Sequence, residues 1–152
     1  MRFNLDTSAI IALVSNHTHG IIRNTKASQM AINGGNHTPL LEYLTEKGLY
    51  PFYEHEFVVA ESVKRETDNI MKHSHDLEKW RYSDLHIEIV PDVINPSIPL
   101  SRTIGIVDRI FISTGESYGL KGITADRKLI SSLHHNGFNP DVIVILPRPL
   151  TR

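Results

Sequence analysis

The sequence predicts a doubly wound α/β fold, because short apolar segments with strand character alternate along the chain with longer segments of helical periodicity. This alternation implies parallel strands joined by right-handed crossovers, with helices on both faces of the sheet. The length of 152 residues and the hydrophobic content of 40% are ordinary for one globular domain, so we expect residues 1–152 to form a single unit.

The first elements are predicted from capping and breaker residues. Phe3–Leu5 is a short strand, and Asp6-Thr7-Ser8 supplies N-cap chemistry for a helix over Ala9–Val14. Residues 15–37 are polar and contain Asn-Gly-Gly-Asn, which indicates an irregular excursion. A helix over Thr38–Lys47 follows, with the next glycine as its C-cap.

The remaining elements follow in the same way from periodicity, prolines and glycines. They are an extended piece at Leu49–Phe52, a long helix from about Tyr53 to His73, a strand at His86–Val90, a loop at Pro91–Pro99, a helix at Ile104–Tyr118 closed by Gly119, a strand at Gly122–Thr124, a helix at Arg127–His135 capped by Gly137, and a strand at Val142–Leu146.

The overall composition excludes several classes of function and of cellular location. The chain has no cysteine, which excludes disulfides, thiolate zinc sites and a cysteine nucleophile. Its net charge of −1 means that any nucleic-acid partner would need metal ions or a local basic patch to offset the phosphate charge. No apolar run approaches the roughly 20 residues that span a bilayer, and Asp6 comes too early for a secretory leader. We therefore expect a soluble, cytoplasmic protein without a membrane partner.

Two aspartates follow predicted strands. Asp6 comes directly after the first strand, and Asp126 lies between the strand at Gly122–Thr124 and the next helix. Ligands of doubly wound sheets bind beyond the carboxyl ends of the strands, so these acids are expected at the edge where sites form. Each could instead serve as a helix N-cap, a position that aspartate favours.

Two further acids lie in apolar surroundings. Asp108 is embedded in a predicted helix among Ile106, Val107 and Ile110, and Glu61 follows the run Phe57–Ala60. Burial of a carboxylate is unfavourable unless a cation or a hydrogen-bond donor compensates its negative charge. Ion pairs with neighbouring basic residues are one explanation, from Arg102 or Arg109 for Asp108 and from Lys64 or Arg65 for Glu61. A divalent cation such as Mg²⁺ or Mn²⁺ is the other, because clustered carboxylates repel one another without one.

The ordered motifs resemble the PIN-domain ribonucleases, which include the toxins of VapBC-type toxin–antitoxin pairs. The resemblance is carried by Leu5-Asp6-Thr7-Ser8-Ala9, Val59-Ala60-Glu61, Asp108-Arg109-Ile110-Phe111-Ile112-Ser113 and Ile123-Thr124-Ala125-Asp126. It implies a three-layer α/β/α sandwich with a central parallel sheet. It also implies an acidic pocket that holds one or two Mg²⁺ or Mn²⁺ ions and hydrolyses RNA to a 5′-phosphate and a 3′-hydroxyl.

Carried over by motif, the catalytic and metal-binding acids would be Asp6, Glu61, Asp108 and Asp126, with Glu66 as the alternative to Glu61. Ser8 would orient a carboxylate or a water, and Thr124 would act similarly. The partners implied are an RNA substrate and, for a toxin, an antitoxin protein. Homodimerisation is expected by family analogy alone.

Other function classes remain open at the level of sequence. A non-catalytic PIN-like module that binds RNA or protein is the main alternative, supported by the near-neutral charge and the polar excursion. A phosphotransfer enzyme with Asp6 as nucleophile lacks the expected Asp-x-Asp pattern, since position 8 is serine. The histidine pairs 17/19 and 73/75 are interpreted as surface residues, because residues two apart on a helix face different directions. The cluster 134/135 is interpreted in the same way, because no cysteine is present to complete a structural zinc site.

Overall fold

The computed structural model describes residues 1–15, 46, 48, 55–72 and 86–145. The strands in these ranges are β1 (Arg2–Leu5), β2 (Glu56–Ala60), β3 (Ile87–Val90), β4 (Lys121–Thr124) and β5 (Val142–Val144). The helices are α1 (Thr7–Ser15), α2 (Glu61–Met71), α3 (Ile106–Tyr118) and α4 (Arg127–His135).

The described strands form one parallel sheet of five strands in the order β3-β2-β1-β4-β5. The central strand β1 pairs with both β2 and β4, so that Asn4 lies beside Val58 on one side and Gly122 on the other. The chain thus builds outwards from β1 to β3 and then returns to the opposite side of β1. The α/β fold predicted from the sequence is confirmed.

Both faces of the sheet are buried. Phe3, Asn4 and Leu5 are each at most 2% exposed, although successive strand residues point to opposite faces. On one face the Asn4 amide nitrogen donates to the carbonyl of Phe111 in α3 at 2.8 Å. On the other the ring of Phe3 stacks on that of Phe57, with 6.1 Å between centroids. Cover on both faces is what a three-layer α/β/α sandwich requires.

The prediction of one helix from Tyr53 to His73 is wrong. Among its described residues, Glu56–Ala60 form β2 and Glu61–Met71 form α2. The residues Phe57–Ala60 are at most 1% exposed. A strand buried on both faces reads as a continuous apolar run, and periodicity cannot tell such a run from a buried helix. The correction brings Glu61 to the carboxyl end of a strand.

Most other predicted elements are confirmed within one or two residues, and α4 has the predicted bounds. The helix predicted from Ile104 begins at Ile106, and the described part of the last strand ends at Val144. Gly119 and Gly137 end their helices with φ of 65° and 83°. The polar excursion after Ser15, most of the 38–47 helix and the 49–52 segment lie outside the described residues. In the described part of the chain, no helix has the length and apolar character needed to cross a membrane.

Candidate active site at the carboxyl edge of the sheet

The candidate site lies where the direction of the chain through the sheet reverses. Strands β1 and β4 are neighbours, but β1 leads towards β2 and β4 leads away towards β5. In doubly wound sheets such a switch point opens a crevice beyond the strand ends. Asp6 follows β1, and Thr124 ends β4, so both lie at this crevice.

Asp6 accepts three hydrogen bonds although it is only 5% exposed. Its Oδ1 accepts from the Ser8 hydroxyl at 2.8 Å and from the Ala9 backbone N–H at 2.9 Å. Its Oδ2 accepts from the Thr124 hydroxyl at 2.5 Å. The bond from Ala9 is the N-cap of α1, so the capping interpretation of Asp6 is correct, but two side-chain donors come in addition.

The two hydroxyl groups join the loops after β1 and β4. The Ser8 oxygen accepts from the Ala125 backbone N–H at 2.9 Å, and the Thr124 oxygen accepts from that of Asp126 at 3.0 Å. A hydroxyl carries a single proton, and although the two hydroxyl oxygens lie 3.1 Å apart, each can donate its proton to Asp6 while its oxygen accepts from the backbone. The orienting contact expected of Ser8 and Thr124 is therefore present, and it suits an ionised Asp6.

Burial opposes that ionised form. Loss of hydration raises the pKa of Asp6 from its ordinary value of 3.8 to about 7, although the bonds from Thr124, Ala9 and Ser8 act to lower it. The negative charge of Asp108 raises the pKa of Asp6 further, which places these two carboxyl groups within electrostatic reach of each other. Ionisation of Asp6 is therefore less favourable in the folded protein than in the unfolded chain.

Asp108 lies in the first turn of α3 as its third residue, and not in the middle of a helix as the sequence suggested. Its Oδ2 accepts from the Gly105 backbone N–H at 2.9 Å. Partial burial raises the pKa of Asp108, the Gly105 bond lowers it, and the charges of Asp126 and Glu66 raise it. The expected alternative of an ion pair with Arg109 is not found, because the Arg109 Nε donates to the carbonyl of Ile98 at 2.8 Å.

Asp126 is the N-cap of α4, and its Oδ1 accepts from the Leu129 backbone N–H at 3.1 Å. The cap interpretation is correct for this residue too. The cap occupies one oxygen, and the charge of the carboxylate raises the pKa of Asp108. Capping and a site function are compatible here.

The structure distinguishes the two glutamates proposed as the fourth acid. Glu61 is the first residue of α2, and both glutamates are exposed, but it is the charge of Glu66 that raises the pKa of Asp108. The two residues are five positions apart, which separates them by about 140° around the helix. One flank of α2 thus faces Asp108, and it carries Glu66. The start of α2 at Glu61 determines which glutamate faces Asp108. The sequence did not reveal that start, because it predicted one longer helix from about Tyr53.

Basic residues of the described ranges do not neutralise these acids. The ion pairs there are Arg2 with Glu56 and Glu88, Lys64 with Asp68, Arg65 with Asp92, and Lys121 with Asp141. None includes an aspartate of the site. Asp92, which the sequence did not single out, lies beyond β3 at the same edge, but it accepts from the backbone N–H and the hydroxyl of Ser62 as well as pairing with Arg65.

The comparison with known families assigns this chain. A family model described as a protein of unknown function (DUF1308) matches residues 3–152. The chain belongs to the DUF1308 family. No curated protein matches the sequence.

The donor set of the DUF1308 site suits a hard divalent cation. Its side chains offer carboxylate oxygens, the ligands that Mg²⁺ and Mn²⁺ prefer. Asp108 and Asp126 each have one oxygen that takes no hydrogen bond within the described residues. In those same residues, no group of three or more histidine, aspartate or glutamate side chains is placed to hold an ion. Mg²⁺ is commonly held by one or two carboxylates while it keeps several waters, and the arrangement fits that mode.

Proposed function

We propose that this protein is a metal-dependent ribonuclease that hydrolyses RNA phosphodiester bonds with Mg²⁺ or Mn²⁺. The observation that carries the proposal is Asp6, a 5% exposed carboxyl with three donors, a pKa raised to about 7 and a second carboxyl, Asp108, within electrostatic reach. Strongly perturbed acids in a crevice are typical of functional sites. The order of the PIN-like motifs in the sequence supports the same conclusion.

A purely structural role explains Asp6 less well. A helix cap needs one acceptor for one backbone N–H, as Asp126 provides for α4. Asp6 has in addition the hydroxyls of Ser8 and Thr124 and almost no exposure to water. The rise of its pKa corresponds to a cost on the order of 4 kcal/mol at neutral pH, since each unit of pKa is about 1.4 kcal/mol. A divalent cation at the crevice would remove that cost.

The chemistry assigned to the site is hydrolysis by water. A divalent cation, when bound, lowers the pKa of water and offsets the charge of the phosphate. A bond forms between the water oxygen and phosphorus, and the bond from phosphorus to the 3′ oxygen breaks. The water loses its proton, the 3′ oxygen gains one, and the products are a 5′-phosphate and a 3′-hydroxyl. Asp6 and Asp108 would hold the cation, while Ser8 and Thr124 fix the orientation of Asp6 through their hydrogen bonds.

A non-catalytic module that binds RNA or protein is the second candidate. Its support is that no three-residue ligand group is present among the described residues, while Asp6 and Asp126 both cap helices. An antitoxin partner and homodimerisation stay predictions from the sequence resemblance alone.

The test is cleavage of a 5′-labelled single-stranded RNA by the wild-type protein with Mn²⁺, with Mg²⁺ and with EDTA. We expect cleavage with either cation, none with EDTA, and products that end in a 5′-phosphate. Asp6→Asn and Asp108→Asn should each lose the activity while keeping the fold. Asp141→Asn is the matched control, since Asp141 is an exposed acid paired with Lys121. No cleavage by the wild type would favour the binding module, and undiminished cleavage by Asp6→Asn would contradict the role proposed for Asp6.

A further inference from the structure

We propose that a cavity between α3 and the amino edge of the sheet is a second binding site, and that its ligand is a small, flat aromatic cation with N–H donors. The cavity has a volume of about 270 Å³. It is separate from the acids, because Asp6 and Asp126 follow their strands at the carboxyl edge. The proposal therefore does not depend on the nuclease function.

The cavity is formed by the C-terminal half of α3 and by the residues at which β4 and β5 begin. Leu120 directly precedes β4, and Val142 is the first residue of β5. Asn4 of the central strand lines the inner end, since it is 1% exposed, whereas Glu116 and Gly119 are exposed and lie at the mouth. The cavity thus leads from the solvent at the amino edge to the middle of the sheet.

The size and the walls of the cavity suit a flat ring system. Its apolar walls are the side chains of Phe111, Ile112, Leu120, Pro140 and Val142. A cavity of about 150 Å³ holds a benzene ring, and pockets for drug-sized ligands begin at about 300 Å³. The volume therefore fits one ring or two fused rings. A Cβ added at Gly119 would meet no other heavy atom within 4 Å, so the mouth is open on that side.

The buried amide of Asn4 supplies a hydrogen-bond acceptor. Its Nδ2 donates to the carbonyl of Phe111 at 2.8 Å, which establishes which end of the amide is the donor. Its Oδ1 accepts no hydrogen bond from any described residue. A buried acceptor without a donor is unfavourable. An N–H group of a ligand at the inner end of the cavity would provide that donor.

The polar groups at the mouth favour a positive charge on the ligand. The exposed carboxylate of Glu116 accepts from Asn95 Nδ2 at 3.0 Å through one oxygen only. The C-terminus of α3 at Gly119 contributes the negative end of the helix dipole. Asp141 also lines the mouth, but Lys121 at 3.7 Å offsets its charge. The described residues that line the cavity include no lysine, arginine or histidine, so an anion would have no partner there.

The test is a titration of the ¹⁵N-labelled protein with 2-aminobenzimidazole, followed by two-dimensional NMR at about pH 6.5. This cation has two fused rings, a ring N–H and an exocyclic amine. We expect saturable shifts of the amides of three glycines that line the cavity, Gly115, Gly119 and Gly122. The dissociation constant should be about 1 mM or lower, as is usual for a ligand of about ten heavy atoms. The amides of Gly105 and Gly137, which lie outside the cavity, should not shift.

Two variants separate the volume of the cavity from its charge. Leu120→Trp should fill the cavity and abolish the shifts. Glu116→Gln should weaken the binding of 2-aminobenzimidazole about two- to fivefold and leave the binding of indole, a neutral compound of similar size, unchanged. Glu88→Gln is the matched control, since Glu88 is another exposed glutamate that accepts a side-chain hydrogen bond, from Arg2. It should change neither affinity.

The outcomes that would overturn the proposal are equally specific. One is the absence of saturable shifts at about ten times the expected dissociation constant. Another is a set of shifts at Gly105 in place of the cavity glycines. Equal affinity for 2-aminobenzimidazole and the anion indole-2-carboxylate, or equal losses in Glu116→Gln and Glu88→Gln, would contradict the selection of a cation. If Leu120→Trp does not fold, Glu116→Gln decides alone. None of these titrations contains RNA or a divalent cation, so their results are independent of those for the nuclease.

Discussion

Replacement of Asp6 by asparagine should change the stability of the protein in a pH-dependent way. Relative to the wild type, the variant should be less stable at low pH and more stable at high pH. The pKa of the Asp6 carboxyl rises from 3.8 in an unfolded chain to about 7 in the folded one, mainly because of burial. Between these values the folded state keeps a proton that the unfolded state has lost. The stability that protonated Asp6 contributes is thus complete below pH 3.8 and is lost as the pH rises through 7.

The magnitude follows from the same shift. The wild type should lose on the order of 4 kcal/mol of unfolding free energy from this group between pH 4 and pH 8. Asparagine cannot ionise, so the variant escapes the loss. Its amide meets the Thr124 hydroxyl in place of an acceptor oxygen, which costs on the order of 1 kcal/mol at every pH. Asp6→Asn should therefore be slightly less stable than the wild type at pH 4 and more stable by roughly 2–3 kcal/mol at pH 8.

The assay is urea denaturation followed by far-ultraviolet circular dichroism at pH 4, 5, 6, 7 and 8, with EDTA present throughout. Asp141→Asn serves as the control, because its carboxyl is exposed and pairs with Lys121 at the protein surface. The reasoning is refuted if the difference between Asp6→Asn and the wild type stays constant over this range.

Two further predictions concern packing and the choice of the fourth acid. In Gly122→Ala the new Cβ would lie 2.8 Å from Cζ of Phe111 and 2.9 Å from Cγ1 of Val142, so denaturation in urea should show a loss of about 1–3 kcal/mol, and an unchanged midpoint would contradict the packing of α3 on the sheet. Glu66→Gln should reduce Mn²⁺-dependent cleavage about tenfold or more, whereas Glu61→Gln should leave it near the wild-type rate, since Glu66 is the one that acts on Asp108. A reversed order of these two rates would return the role to Glu61.

The sequence predicted the elements whose ends are marked by capping residues or by glycine. Asp126 caps α4 and Gly119 ends α3 with positive φ, and both were expected from residue type alone. Strand β2 was missed because Phe57–Ala60 are buried on both faces and lack the alternation that marks a half-buried strand. Segment Phe57–Ala60 is a strand because it pairs with β1 and β3. These pairings join distant parts of the chain, so the local periodicity of the sequence does not predict them.

The sequence indicated where individual acids lie in the fold but not which groups they contact. The positions of Asp6 and Asp126 after strands placed both at one sheet edge, as the structure has them. The link from Thr124 to Asp6 spans 118 positions, and it depends on the pairing of β1 with β4. The choice between Glu61 and Glu66 depends on the residue at which α2 begins. Such long-range and register-dependent contacts follow from the assembled sheet and not from any local pattern.

The central claim is that Asp6 and its neighbours form a site for a divalent cation, and a calorimetric titration with Mn²⁺ tests it most directly. Titrations at pH 7 in two buffers with different ionisation enthalpies report both the affinity and the protons released. Because the pKa of Asp6 is about 7, the wild type should bind Mn²⁺ saturably and release about half a proton as it binds. Asp6→Asn should bind far more weakly and release none. Absence of saturable binding by the wild type, or an identical titration of the variant, would contradict the account.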